Sequence, residues 1–354
     1  MAIYIKGMGN ISIQDTLGKN SIDAPVSYTE PYVRCIEPNY KDFINPLQLR
    51  RMSRIIKRAI ASSLTAVEQS GIAIPEAIIS GTGLGCIEDT EKFLSAMIEN
   101  EEKFLQPTYF IQSTHNTISS QIAIYLKCHS YNNTYTHRGV SFEMALWDAY
   151  LLLLSGQIKS ALVGGYDELT PTYFQQLKKL DFWRDSVQDS LNIINTSGTG
   201  TFSGEGSLSF MLADNAENAL ARLDGMSLGY KLNNDEEVCR FITKFLEEHH
   251  LTSQDIDLFM TGKSGDEVYD GLYDDVSEKL FPQTPQAVYK NLSGEFFTAS
   301  AFGLWSATSC IKNNQVPECQ KINHIPTKPL SKVLLYNQYQ NKNHSLILLS
   351  SCGC

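Results

Sequence analysis

The residues best placed to do chemistry lie where a short strand turns into a helix, in the segment THRGVSFE (136–143). The start of a buried helix stabilises negative charge, so a nucleophile there is favoured. The segment offers His137, Arg138 and Ser141, but no cysteine. A serine hydroxyl reacts poorly without a base beside it, so Ser141 alone predicts little reactivity. We interpret His137 and Arg138 as a local hydrogen-bonded turn or as a polar pair that contacts a partner or closes the pocket left without a nucleophile.

The helix that follows this turn is predicted to be buried. Residues 140–154, VSFEMALWDAYLLLL, carry charge only at Glu143 and Asp148 and are apolar nearly all the way round. Such a helix is typical of the interior of a large α/β protein. The next segment, SALVGGYDE (160–168), predicts a buried strand.

The rest of the chain alternates between strand-like and helix-like segments, which predicts an α/β fold with mostly parallel strands. A helix within 46–71 is indicated by apolar residues at helical spacing, and Gly71 should end it. Residues 215–235 are predicted to cross into a second half, so we divide one compact unit into halves 1–214 and 215–354. The other predicted elements are strands at 77–86, 206–214, 257–262, 287–291, 332–338 and 344–350, and helices at 88–102, 120–128, 235–250, 267–280 and 298–312.

Composition excludes several classes of partner. The chain has 354 residues and a net charge of −10, which argues against a nucleic-acid or anionic-membrane partner. Its first residues alternate like a strand, so we expect no secretory signal. The apolar run Ala149–Leu154 is too short to span a bilayer.

The cysteines show no metal-site pattern. None of the eight has the spacing of a zinc site, and we expect reduced thiols in a cytoplasmic protein, with no metal and no cofactor. Cys352 and Cys354 form the one close pair in the sequence, and a metal or redox role for it is left open.

Several of these segments resemble the β-ketoacyl synthase family of the thiolase-like superfamily. Residues 136–168 are similar to that family's nucleophile elbow, which reads A-C-S-S-G, with Ala145 and Ala149 in register. This register places Gly139 on the catalytic cysteine and Phe142 on a family glycine. The resemblance implies a thiolase-like fold, in which two similar α/β halves stack as five α-β-α-β-α layers.

Active members of the family also use two histidines to stabilise an enolate. The resemblance places Thr261 on the first, within FMTGKSGDEVYD (259–270). In YKNLSGEFFTASAFG (289–303) it keeps the family's lysine as Lys290 and places Glu295 on the second histidine. Two supporting positions are Glu205, in the family's G-E-G motif, and Tyr339, on its gating aromatic.

The three altered positions together indicate an inactive homologue. Glycine at 139 cannot be acylated, and a carboxylate at Glu295 would repel an enolate. The pattern is most like a chain length factor subunit of the aryl-polyene or flexirubin type. Such a subunit would pair with an active ketosynthase as a heterodimer, and the phosphopantetheine thioester of an acyl carrier protein would reach that partner.

The resemblance also implies how the subunit would act. Dimerisation is expected through the strand just beyond the nucleophile helix, 160–168, as a sheet continuous across both subunits. The basic run at 50–58 is interpreted as a solvated helix face or as a docking site for the carrier protein. Bulky side chains expected to wall the acyl tunnel or pocket, each with an ordinary core aromatic as the alternative, are Tyr109, Phe110, Phe142, Trp147 and Tyr339.

Two other functions remain open from the sequence. One is a stand-alone acyltransferase or decarboxylase with a displaced nucleophile, using Ser141, His137 or Cys86. The other is a homodimeric acyl-binding protein with no synthase partner.

Overall fold

The computed structural model describes residues 2–326 and 328–352. The strands are β1 (Ile3–Ser12), β2 (Ala77–Gly81), β3 (Tyr131–Tyr135), β4 (Ser160–Asp167), β5 (Gly206–Ala213), β6 (Ala221–Tyr230), β7 (Leu258–Thr261), β8 (Gln286–Val288), β9 (Lys332–Tyr339) and β10 (Asn343–Ser350). The helices are α1 (Pro46–Leu49), α2 (Arg54–Ser70), α3 (Ile87–Glu99), α4 (Pro107–Gln112), α5 (Thr117–Leu126), α6 (Ser141–Leu154), α7 (Pro171–Lys178), α8 (Asp235–Glu248), α9 (Glu267–Leu280), α10 (Lys290–Ser293) and α11 (Ser300–Asn313). Cys354 lies outside the described residues, and so does any role for its pair with Cys352. None of the helices in the described ranges is long and apolar enough to cross a membrane.

The strand order repeats. The first five strands are ordered β3-β2-β4-β5-β1, and the last five are ordered β8-β7-β9-β10-β6, which is the same arrangement. In each set the two outer pairs are parallel, and the pairs that β5 or β10 makes are antiparallel. With the antiparallel pair of β1 and β6, five of the nine strand pairs among the described residues are antiparallel, so the prediction of mostly parallel strands is wrong. Among the described residues, the strands of the two sets pair with each other at Ile3–Ile5 on β1 and residues 221–223 on β6. Two similar α/β units therefore share one extended sheet.

Helices on both sides of these strands give the five predicted layers. Helices α2 and α5 cover the outside of the first set with a cluster that includes Ile56, Ile122 and Ile78. Helices α8 and α9 cover the outside of the second set. Helices α6 and α11 lie between the two sets within the largest hydrophobic cluster. The predicted burial of α6 is confirmed on the face formed by Phe142, Ala145, Leu146, Ala149 and Leu153, which are buried, while Leu151 and Leu154 near its end are exposed.

The helix predicted within 46–71 is confirmed as α2. The short helix α1 precedes it and is separate, because Ser53 before α2 is extended. The predicted end of α2 is confirmed, since Gly71 adopts the left-handed conformation (φ 71°) that ends many helices. The crossing expected over 215–235 contains strand β6, which the sequence prediction missed.

The predicted dimerisation strand is also wrong. The strand just beyond α6 is β4, and it is buried between β2 and β5. A strand that is paired on both sides cannot extend its sheet into another subunit. The outer edge of the first set is β3, which precedes α6 and pairs only with β2 among the described residues.

Two members of the basic run, Arg54 and Arg58, are not free cations, while Arg50 and Arg51 are exposed. Arg58 is fully buried, and its Nη1 lies 2.5 Å from Glu205 Oε2, which is also fully buried. Arg58 also pairs with Glu37, and Arg54 pairs with Glu88. A buried ion pair is retained for structure and is inaccessible to a carrier protein, so neither interpretation of the run holds for Arg58.

Candidate functional site

The predicted nucleophile elbow forms, and a tyrosine occupies the place of its nucleophile. Strand β3 ends at Tyr135, a single tight turn spans Arg138–Val140, and α6 begins at Ser141. Gly139 is buried in that turn. A Cβ atom added to Gly139 would lie 2.1 Å from Cγ and 2.4 Å from Cδ2 of the Tyr339 ring. The room that a side chain at 139 would need is therefore taken.

Tyr339 is held at this point by a tight hairpin. It is the last residue of β9 and pairs with Asn343, the first residue of β10. Gln340 and Asn341 between them adopt left-handed conformations with φ of 55° and 51°. The Asn341 backbone N–H donates to Gln338 Oε1 at 2.7 Å. Where the family has a glycine-rich loop, this chain has a hydrogen-bonded turn that aims a large ring at the elbow.

The Tyr339 phenol is not a substitute nucleophile. Burial raises its pKa, and the nearby charge of Glu295 acts in the same direction. A phenol whose pKa is raised stays protonated at neutral pH and is a poor nucleophile. The ring fills space: it packs at 6.1 Å, edge to face, against Phe297.

The other groups of the elbow serve its turn. Ser141 is fully buried, and its Oγ accepts a 2.8 Å hydrogen bond from the backbone N–H of His137. The side chains of His137 and Arg138 are exposed, and Arg138 has a left-handed backbone with φ of 47°. This geometry supports the interpretation of residues 137–141 as a hydrogen-bonded turn.

Glu295, on the second histidine position, is held in an ion pair. Lys290 Nζ lies 2.6 Å from Glu295 Oε2, and the lysine side chain is almost entirely buried. The Glu295 backbone N–H donates to Phe202 O, and its carbonyl accepts from the Gly204 N–H, both at 3.0 Å. Glu295 is therefore anchored by backbone and side chain, and it carries a carboxylate where an active enzyme has an imidazole.

Thr261, on the first histidine position, ends β7 and is fully buried. Its Oγ1 has no hydrogen-bond partner among the described residues. The loop beyond it is held by Asp270, which accepts from the backbone N–H groups of Ser264 (3.1 Å) and Gly265 (2.7 Å). Burial raises the pKa of Asp270 to about 6.

The sequence prediction missed Asp167, which ties two segments of the site together. It ends β4 and accepts from the backbone N–H of Gly83 at 2.8 Å and from both the backbone N–H and the hydroxyl of Thr298 at 2.9 Å. Burial raises its pKa to about 6. The available signal was an acidic residue at the end of the buried strand that contains Gly164 and Gly165.

Two small cavities flank Tyr339. The first, here the apolar cavity, has a volume of about 30 Å³, and the second, the polar cavity, about 50 Å³. Phe182, Glu295 and Tyr339 line both. A cavity of this size holds a water molecule or two and no acyl chain. The remaining lining of the apolar cavity includes Leu84, Leu169, Leu177, Trp183 and Phe296, and that of the polar cavity includes Ser264, Asp270, Lys290 and Gln338.

The predicted site residues separate into two groups. Gly139, Lys290, Glu295 and Tyr339 lie together at the elbow, with Glu205 in the buried ion pair that supports the neighbouring strand β5. The aromatics proposed for the tunnel are dispersed. Phe142 is fully buried with its ring 5.7 Å from Phe210, Trp147 is half-buried against Tyr150, Tyr109 is half-buried on α4, and Phe110 is 56% exposed.

The cysteines of the described residues are free thiols, and Cys86 is not a reactive one. It is fully buried, and burial raises its pKa. Because the thiolate is the reactive form, Cys86 is a poor nucleophile.

Comparisons with known proteins agree with this fold. A family model for the N-terminal domain of β-ketoacyl synthases matches residues 29–200. A comparison with curated proteins finds no match. The solved structure of the ishigamide ketosynthase/chain length factor is similar with a TM-score of 0.83 and 16% identity, over 99% of each chain.

Two further structures are similar over nearly all of both chains. A β-ketoacyl synthase from Burkholderia phymatum STM815 has a TM-score of 0.80 and 14% identity, over 99% of this chain and 100% of that one. The ketosynthase ApeO in complex with its chain length factor ApeC, from Xenorhabdus doucetiae, has a TM-score of 0.76 and 15% identity, over 99% of this chain and 98% of that one. The chain therefore has the thiolase-like fold seen in these ketosynthase structures, and its residues 29–200 match the model of the β-ketoacyl synthase N-terminal domain.

Proposed function

We propose that this chain is a catalytically silent chain length factor subunit, which pairs with an active ketosynthase in aryl-polyene-type biosynthesis and shapes that partner's acyl tunnel. Two of the similar solved structures are described as a ketosynthase/chain length factor and as a ketosynthase in complex with its chain length factor, which supports the class of subunit. The aryl-polyene assignment rests on the resemblance of the elbow THRGVSFE.

The observation that carries the proposal is the Tyr339 ring packed against Gly139. A missing thiol alone could be a single substitution in an otherwise open site. Here a side chain at 139 would overlap the ring at 2.1 Å, and the second histidine position holds an ion-paired carboxylate. Both changes oppose the condensation reaction. Gly139 offers no thiol that could form a thioester, and the Glu295 carboxylate would repel an enolate where an active enzyme stabilises it.

A displaced nucleophile has less support. The Ser141 hydroxyl is buried and accepts a backbone hydrogen bond, and burial raises the pKa of Cys86. Neither group is poised as an activated nucleophile, which needs an adjacent base or a lowered pKa.

A partner surface is indicated at the β3 edge. More than half of the exposed large apolar side chains of the described residues lie between residues 94 and 154. An unpaired edge strand beside exposed apolar side chains is typical of an interface that another chain covers. The side chains concerned are Leu94, Ile98, Phe104, Phe110, Ile111, Ile124, Tyr131, Leu151 and Leu154.

The exposed side chains between residues 94 and 154 suggest which aromatics reach the partner's tunnel. Phe110 on α4 is 56% exposed, and Phe93 supports its ring at 5.4 Å. Phe142 is buried in this chain's own core. Phe110, and Tyr109 beside it, are therefore better candidates than Phe142 for a wall that closes the partner's tunnel.

Pairing is tested by co-expression with a synthase that has an intact Cys-His-His set. We expect a heterodimer on size exclusion with mass detection, and we expect Tyr131→Lys on the β3 edge to weaken it. The matched control is Tyr230→Lys, because Tyr230 is 63% exposed on β6 and away from that edge. A chain that purifies as a stable homodimer in the presence of the synthase would support the acyl-binding alternative instead.

Tunnel shaping is tested by product length in the co-expressed pair. Phe110→Ala should lengthen the polyene, because it removes a ring from the proposed wall. Leu180→Ala is the control, since Leu180 is 67% exposed outside the proposed surface. Equal product lengths for both variants would count against Phe110.

A further inference from the structure

The two ends of the sheet differ in how they are covered. Strands β3 and β8 hold corresponding positions in the two halves, and they are the outermost strands at opposite ends of the sheet. Tyr131 and Asn132 on β3 are exposed, whereas Ala287 and Val288 on β8 are fully buried. Among the described residues, one end of the sheet is therefore open and the other is closed.

The closed end is covered by the connection from α11 to β9. In the first half the corresponding connection, from α6 to β4, consists of residues 155–159, whereas the one from α11 to β9 runs over residues 314–331. Residues 318–323 within it, here called the edge guard, lie along β8, and Lys321 forms an antiparallel bridge with Ala287. Because the strand order of the two halves is the same, a short connection would suffice, and the added residues serve to cover β8.

The edge guard occupies hydrogen-bonding groups of β8. The backbone N–H of Ile322 donates to the carbonyl of Gln286 at 3.0 Å. The backbone N–H of Gln286 donates to Asn323 Oδ1 at 3.1 Å. Gln320, which is buried, donates from Nε2 to the carbonyl of Val288 at 2.9 Å. These are the groups with which an edge strand would otherwise recruit a strand of another chain.

We infer that the edge guard confines the assembly of this chain to the β3 end of its sheet, because it keeps a second copy of the chain from pairing with β8. With both ends open, each copy could pair with a neighbour at each end, and the copies would extend without closing. With β8 covered, assembly through sheet edges ends after one partner. The inference goes beyond the proposed function, because it concerns the other end of the sheet and holds whichever partner covers β3.

The test is the assembly state of the purified chain, measured by analytical ultracentrifugation over a range of concentrations. Ile322→Pro combined with Asn323→Ala removes the N–H and the side-chain oxygen that Gln286 binds. The mass of this variant should rise with concentration to at least about threefold that of a single chain, whereas the unmodified chain should not exceed two copies. Ile322→Ala is the matched control, because it keeps the backbone N–H and should sediment like the unmodified chain.

Hydrogen exchange at residues 286–288 checks that the edge has opened, and Gln320→Ala is added if exchange there stays slow. If the double variant unfolds, Asn323→Ala alone replaces it. A folded variant with an opened edge and an unchanged mass would overturn the inference. Adding Tyr131→Lys, which places a charge on the β3 edge, should stop growth at two copies, and growth that continues would also overturn it. Co-expression with the synthase does not depend on the edge guard, so the two proposals can fail separately.

Discussion

The two ends of helix α6 are treated in opposite ways. At its start, Gly139 and Ser141 are buried, and the Tyr339 ring fills the space that a nucleophile would need. Toward its end, Leu151 and Leu154 are 45% and 42% exposed. The end that could react is filled, and the end that could bind is uncovered.

The contrast between the filled start and the exposed end of α6 indicates a binding role rather than a catalytic one. Filling a cavity gains packing contacts and removes reactivity, while leaving leucines in water is unfavourable unless something covers them. The hydrogen bond from Tyr131 on β3 to Asp148 on α6, at 2.9 Å, links the uncovered part of the helix to the free sheet edge. A filled elbow together with an open edge is what the proposed partner subunit requires.

The largest expected effect comes from the buried end. Phe142→Ala should destabilise the chain by about 3–5 kcal/mol, because it leaves a cavity beside Phe210 in the central cluster. The control is Phe110→Ala, which should change the free energy of unfolding by less than about 0.5 kcal/mol because Phe110 is largely exposed. Urea unfolding followed by circular dichroism measures both, and similar losses would contradict the assignment of Phe142 to the core.

The next effect concerns the contact of Gly139 with Tyr339. Gly139→Ala should destabilise the chain by about 1–3 kcal/mol, because the new methyl overlaps the ring. In a Tyr339→Ala background the same substitution should cost much less, so a double-mutant cycle should give a clear coupling energy.

Gly271→Ala is the matched control for this cycle. Gly271 lies in α9, and a Cβ there meets nothing within 4 Å. An alanine in that helix should be neutral or stabilising by up to about 1 kcal/mol. Additive losses for Gly139 and Tyr339 would mean that the ring does not determine what position 139 accepts.

The smallest effect on stability is expected at the uncovered end. Leu151→Ser and Leu154→Ser should each change the free energy of unfolding by less than about 0.5 kcal/mol. In the complex with the synthase, each should weaken association by about 1–2 kcal/mol, or roughly tenfold in Kd. Measured by biolayer interferometry, unchanged affinity for both variants would place the interface elsewhere.

The sequence predicted the features that are local in the chain. The buried helix, its preceding turn and the end of α2 at Gly71 all follow from short-range pattern or resemblance. Strand β6 was missed because the alternation of ARLDGMSLGY changes phase at Asp224 and Gly225: Ala221 and Leu223 follow one register, and Met226, Leu228 and Tyr230 follow the other.

Features that depend on strand order could not be predicted in the same way. Nothing in the sequence of β4 says that it lies between β2 and β5, so the wrong strand was expected at the edge. The contact of Gly139 with Tyr339 joins residues far apart in the chain and depends on the hairpin turn at 340–341. The resemblance supplied both positions, but only the structure shows that they compete for the same space.

The most direct test of the central claim is intact-mass analysis of the heterodimer after incubation with an acyl carrier protein thioester. A silent subunit predicts an acyl adduct on the ketosynthase and none on this chain. An acyl adduct that maps to this chain, at Ser141, Cys86 or any other residue, would contradict it.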